Sequence, residues 1–73
     1  MTGLPNTNIN ISAARIIRDN AGLLFAVTSK PYTEAAYIGV RVKRAAGQFQ
    51  PLKNAGFQLV RIAGTSVVRG EAR

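Results

Sequence analysis

Apolar and polar residues alternate through much of the second half of the chain, as they do in half-buried strands. In residues 38–43, IGVRVK, the alternation places the aliphatic side chains on one face and Gly39, Arg41 and Lys43 on the other. A weaker alternation runs through residues 57–62, FQLVRI, and residues 66–69, SVVR, predict a last short strand. The pattern therefore predicts antiparallel strands in this half.

Glycines separate these segments at regular intervals. Gly47, Gly56 and Gly64 follow one another nine and eight residues apart, a spacing typical of short antiparallel strands. We expect a small β-rich fold (β or α+β), with a meander-like sheet and at most one short helix. Residues 9–69 would form a single compact domain between a mobile N-terminal arm, 1–8, and a frayed basic tail, 70–73.

Two interpretations fit the first half of the chain. Residues 15–28, RIIRDNAGLLFAVT, resemble a hairpin around a DNAG loop, which the β-branched residues before the loop favour. Residues 12–22 also fit a helix with Ser12 as N-cap and Gly22 as its C-terminal glycine. One helical turn is predicted after Thr33, and the prolines, including Pro51, are expected between strands.

Composition argues against catalysis and metal binding. The 73 residues include no Cys, no His and three acids, and nothing in the spacing of the acids suggests a paired-carboxylate site. We therefore expect no enzymatic activity, no cofactor, no metal site and no small-molecule substrate. The longest apolar run, LLFAV at 23–27, is far shorter than the roughly 20 residues of a membrane span, so we expect a cytoplasmic protein without a membrane partner.

The cations are the most informative residues. The formal net charge of +7 favours anionic partners. Arg41 and Lys43 on one strand face, with Arg44 after them and a flat spot at Gly39, suit phosphate contacts. The alternative is a charged edge strand that prevents pairing with other chains. The full set of candidate partner-binding residues is Arg41, Lys43, Arg44, Arg15, Arg18, Arg69, Leu4 and Tyr32.

Residues 32–62 are similar to excisionase-like and MerR-like winged helix-turn-helix domains. The stretch begins YTEAAYIGV, in which Glu34, Ala35, Ala36, Gly39 and Val40 match the family in type. This resemblance implies a recognition helix followed by a wing, and DNA as the ligand.

Taken whole, the chain resembles small phage-encoded regulators of host RNA polymerase, a family represented in a xanthomonad phage. The resemblance lies in the length of 73 residues, the polar start MTGLPNTNINIS, the basic RVKR segment and the lack of Cys and His. It implies binding to the β′ N-terminal region and β flap of the polymerase, inhibition of initiation by displacing σ, and antitermination near the RNA exit channel. Nascent RNA would be a second partner, and the host cytoplasm the compartment.

Overall fold

The computed structural model describes residues 9–70, which form one antiparallel sheet. Its six short strands are β1 (Arg15–Arg18), β2 (Leu24–Val27), β3 (Ala36–Ala45), β4 (Gln48–Pro51), β5 (Gln58–Arg61) and β6 (Ser66–Arg69). The strand order is β4-β3-β2-β1-β6, and β5 pairs with β3 as well. The prediction of a small β-rich meander is confirmed. Leu4 and the proposed arm, 1–8, lie outside the described residues, as do residues 71–73 of the proposed tail.

The longest strand, β3, is the centre of the sheet. Gly39 pairs with both Val27 of β2 and Gln58 of β5, and Val42 pairs with both Leu24 of β2 and Pro51 of β4. One edge of β3 is therefore occupied by β2, and the other is shared by β4 and β5. β3 is therefore a central strand at residues 39–42, whereas residues 43–45 extend beyond β2 and pair only with β4.

The helical alternatives are wrong for the described residues. Residues 15–27 form the β1–β2 hairpin, whose turn is fixed by the Asp19 carboxylate accepting the N–H groups of Ala21 and Leu23 at 3.0 and 2.8 Å. Thr33 does accept the N–H of Ala35 at 3.1 Å, as a cap would, but β3 starts at Ala36 instead of a helix. A side chain that suits an N-cap suits an isolated turn equally well.

Strand β4 was not predicted, and Pro51, expected in a loop, is its last residue. Proline lacks a backbone N–H and is tolerated at an edge, where no outer partner requires one. β4 is such an edge strand, paired only with β3. The β3–β4 turn has positive φ at Ala46 (53°) and Gly47 (79°), which is the two-residue type I′ geometry.

Two apolar clusters lie on opposite faces of the sheet, as the alternating register requires. The first face, which we call the Val40 face, has at its centre Ile16, Ala26, Val40 and Val42. Half-buried side chains from residues 9–14, β4 and β6 pack against it. The other, the Phe25 face, is built on Ile17, Phe25, Val27 and Val60, with Tyr37 beside them.

Candidate polyanion-binding surface

Gly39 belongs to the packed part of the Phe25 face, which corrects its expected role as a flat, solvent-facing spot. A Cβ at this position would lie 2.9 Å from Val60 Cγ2 and 3.0 Å from Val27 Cγ1. The missing side chain lets two neighbouring strands bring their valines together over β3. The Phe25 face is therefore closed near Gly39, and the cations further along β3 begin where this packing ends.

Arg41 lies at that boundary, half-buried beside Phe25. The two residues are cross-strand partners between β3 and β2, and the guanidinium carbon is 6.0 Å from the centre of the Phe25 ring. The Nε atom of Arg41 is buried and has no hydrogen-bond partner. Lys43, the next residue on this face, is exposed and lies opposite Gln50 of β4.

Arg44 projects from the opposite, Val40 face, where it meets Phe49. The two residues are directly opposite each other in the β3–β4 hairpin, and the Arg44 guanidinium carbon is 5.0 Å from the ring centre. The guanidinium carbon of Arg69 lies 5.3 Å from the same ring. We call Arg44, Phe49 and Arg69 the Phe49 cluster.

Arg69 also makes polar contacts within the chain. Its Nη2 atom donates to the carbonyl oxygens of Ile11 and Ala14, the latter at 2.6 Å. These bonds attach residues 9–14, which pack on the Val40 face, to β6. Arg69 was expected to contact a partner, but this geometry gives it a structural role as well.

The remaining predicted residues are dispersed. Arg15 lies on the Phe25 face, where Nη1 donates to the Tyr37 hydroxyl at 2.7 Å, while Arg18 is exposed on the Val40 face. Tyr32 is 47% exposed in the loop before β3. The candidate residues thus form two basic surfaces, one on each face of the sheet, rather than a single patch.

The aromatic partners of these arginines, Phe25, Tyr37 and Phe49, are not among the residues predicted from the sequence. Four arginine–ring contacts occur among the described residues. The guanidinium carbons lie 5.0–6.0 Å from the ring centres, within the range of roughly 6 Å for a cation–π contact. A ring orients a guanidinium and leaves its charge in place, whereas a carboxylate would neutralise that charge.

Acidic residues compensate little of this charge. Nine cations lie between residues 9 and 70, against two acids, Asp19 and Glu34. The Asp19 carboxylate serves the β1–β2 turn, and Glu34 is exposed in the loop before β3. Within the described part of the chain no three acidic side chains come together as metal ligands. Nor is any helix found there that is long and apolar enough to cross a membrane.

A groove on the Phe25 face adds an apolar surface near these cations. It has a volume of about 390 Å³ and lies between the β1–β2 turn and β5, with Phe25 and Val60 among its lining residues. Leu23 and Leu59, also in the lining, are 36% and 51% exposed.

Comparison with protein-family models, with curated proteins and with solved structures gives no match to this chain. The function must therefore be inferred from the surface itself.

Proposed function

We propose that this protein is a binding protein rather than an enzyme, and that it regulates transcription by binding bacterial RNA polymerase through its basic surfaces, above all that of the Phe25 face with Arg41 and Lys43. By the resemblance to phage-encoded polymerase regulators, it would act in the host cytoplasm, inhibiting initiation and promoting antitermination near the RNA exit path. The β′ N-terminal region and the β flap would be its protein contacts.

The observation that carries this proposal is the position of the cations on β3. A charged edge strand was the main alternative explanation for Arg41, Lys43 and Arg44. Residues 39–42 of β3 pair with β2, and β4 and β5 share the other edge of β3, so that explanation does not apply to Arg41, whereas Lys43 and Arg44 lie beyond β2 and pair only with β4. Arg41 and Arg44 lie beside aromatic rings, Lys43 is exposed between them in sequence, and few acids oppose these charges, which suits a polyanionic surface.

The helix-turn-helix alternative loses its structural basis. It required a recognition helix soon after Ala36, where the chain forms β3, and residues 9–70 contain no helix elsewhere. The five matching residues lie in a loop and a strand, so the similarity does not extend to the backbone.

The test is capture of polymerase from bacterial lysate by the tagged full-length chain, with and without nuclease, at moderate and raised salt. We expect polymerase subunits to be retained after nuclease treatment. Recovery of nucleic acid alone, falling steeply with salt, would contradict the proposal, because phosphate contacts rather than a protein interface would then dominate.

A pair of charge reversals refines this test. Lys43→Glu and Lys30→Glu change the net charge equally, and both lysines are exposed. Lys43 lies on the proposed surface, whereas Lys30 is in the loop near the other end of β3. We expect Lys43→Glu to reduce polymerase capture about tenfold and Lys30→Glu to change it less than about twofold. Long-range electrostatic steering alone would instead lower capture equally in both variants. Equal losses would argue against a defined surface.

A further inference from the structure

The β3–β4 hairpin lies in the most uniformly basic part of the chain. From Ala35 to Gly70 the sequence contains no acidic residue, while it includes six cations. Arg44 belongs to this segment and is exposed on the Val40 face. Arg18 is also exposed on the Val40 face. It lies on β1, two strands from β3, and two strand spacings correspond to about 10 Å across the sheet. Any ligand of this end of the sheet therefore meets a positive potential.

Phe49 connects the core of the Val40 face with an exposed arginine. The ring is half-buried and packs against the core of the Val40 face, so it is held by that core. The Arg44 guanidinium lies over the ring at 5.0 Å, and Arg44 itself is exposed to solvent. Phe49 therefore contacts the core and two arginines, of which Arg69 is bonded to backbone carbonyls and Arg44 is exposed to solvent.

The short hairpin determines that Arg44 and Phe49 lie opposite each other. Arg44 and Phe49 are one residue pair away from the two-residue turn at Ala46 and Gly47, so the turn geometry fixes which side chains face each other. Opposite side chains in such a ladder have Cβ atoms about 4.5–5.5 Å apart. A guanidinium oriented in this way loses less freedom when it binds a ligand than a mobile one does.

From this geometry we propose that the β3–β4 hairpin binds single-stranded nucleic acid, with one base stacked on the outer face of the Arg44 guanidinium. Unstacked bases stack on guanidinium planes as they do on aromatic rings. The N–H donors of Arg44 point along the edge of the same plane, where a phosphate oxygen accepts them. One residue thereby provides both the stacking surface and the phosphate contact.

This inference rests on the proposed function and deepens it, because it assigns the nascent RNA expected as a second partner to the β3–β4 hairpin, through its unpaired bases. A carboxylate on a protein would use the edge donors but not the flat face. A duplex keeps its base faces covered by neighbouring pairs. An exposed guanidinium beside a ring therefore favours a ligand with an accessible aromatic face over an acidic peptide or a double strand.

The experiment measures binding of the purified full-length chain to a labelled single-stranded RNA of about 12 nucleotides, within the known range of site sizes. The informative variant is Arg44→Lys, which keeps the charge and removes the plane. Its matched control is Arg61→Lys, an exposed arginine that lies opposite Ala36 at the other end of β3. Thermal unfolding verifies that both variants fold.

We expect Arg44→Lys to weaken RNA binding about tenfold, which corresponds to the loss of one stacked base. Arg61→Lys should change affinity less than twofold, and a duplex of the same sequence should bind more weakly than the single strand. Equal effects of the two variants would overturn the inference, because charge alone would then account for binding. Equal affinity for the duplex would overturn it as well.

These outcomes can be separated from failure of the proposed function. If nuclease-treated polymerase is retained while RNA binding is insensitive to Arg44→Lys, the inference about the hairpin fails and the polymerase proposal stands. If polymerase is not retained but Arg44→Lys selectively weakens RNA binding, the hairpin inference stands, and the proposed function fails.

Discussion

Arg41 and Arg69 lie on opposite faces of the sheet, and their surroundings differ. The difference suggests a role in stability for Arg69 and a role in binding for Arg41. Each has its guanidinium near a phenylalanine ring, at 6.0 Å from Phe25 and 5.3 Å from Phe49. Arg69 donates to two backbone carbonyls, whereas the Nε atom of Arg41 is buried without a partner. The guanidinium of Arg69 is therefore bonded within the fold, whereas the Nε of Arg41 is not.

A small domain has little stability to lose, so this difference matters. A chain of this length buries only about 60% of its unfolded surface. A buried donor without an acceptor costs about 1–3 kcal/mol. An arginine with such an unpartnered donor is a candidate for function. An arginine whose donors bond within the fold is better explained by a structural role.

The largest expected effect is that of Arg69→Met. The variant keeps an apolar side chain near Phe49 but removes the bonds to the carbonyls of Ile11 and Ala14. Hydrogen bonds from charged donors contribute about 1.5–3 kcal/mol each, so we expect the free energy of unfolding to fall by about 3 kcal/mol. Urea denaturation measures the change.

Arg44→Met is the matched control for Arg69→Met, because Arg44 contacts the same ring but is exposed. It should lower stability by less than about 1 kcal/mol, the value of an exposed cation–π contact. Similar losses for both variants would mean that the ring contact, and not the carbonyl bonds, gives Arg69 its structural role.

Gly39→Ala should have the second largest effect. The added Cβ would meet side-chain carbons of Val60 and Val27 at 2.9 and 3.0 Å, and the Ala26 carbonyl oxygen at 3.1 Å. Overpacking of this kind costs about 1–3 kcal/mol, and we expect about 2. At Gly56 a Cβ has no neighbour within 4 Å, so Gly56→Ala is the control and should be nearly neutral. A neutral Gly39→Ala would show that the Phe25 face is loosely packed.

The sequence predicted much of the sheet but not its pairing. Strong alternation identified the core of β3, and SVVR identified β6, because period-two patterns are local. β4 was missed since four residues ending in Pro51 carry little strand signal on their own. The buried position of Gly39 depends on strands distant in sequence, so only the register reveals it.

The candidate surface was predictable only in part. The excess of cations on β3 is evident from composition and alternation, but the ring contacts depend on tertiary structure. Arg44 and Phe49 are the exception, since RAAGQF places them symmetrically about a two-residue turn. By contrast, the contact of Arg69 with Phe49 and the carbonyl bonds of Arg69 join segments distant in the sequence. No local pattern identifies them.

A smaller effect is expected at the turn that holds the Phe49 cluster together. Ala46 has a φ of 53°, a left-handed conformation that costs a residue with a Cβ roughly 1–2 kcal/mol. Asparagine tolerates this conformation, and Asn-Gly is the preferred type I′ pair, so Ala46→Asn should stabilise the protein by about 1 kcal/mol. Ala21→Asn, in the β1–β2 turn, is the control and should give no gain. Thermal unfolding distinguishes the two.

The smallest effect on stability, and the most direct test of the comparison, is that of Arg41→Met. Removing the unpartnered Nε offsets the loss of the Phe25 contact, and we expect a net gain of about 0.5 kcal/mol in the free energy of unfolding. Polymerase capture should fall at the same time, because one cation of the Phe25 face is lost. Lys43→Met removes an exposed neighbouring cation and should reduce capture without changing stability. If Arg41→Met instead destabilised the fold and left capture intact, Arg41 would be a structural residue like Arg69, and the separation of stability from binding would not hold.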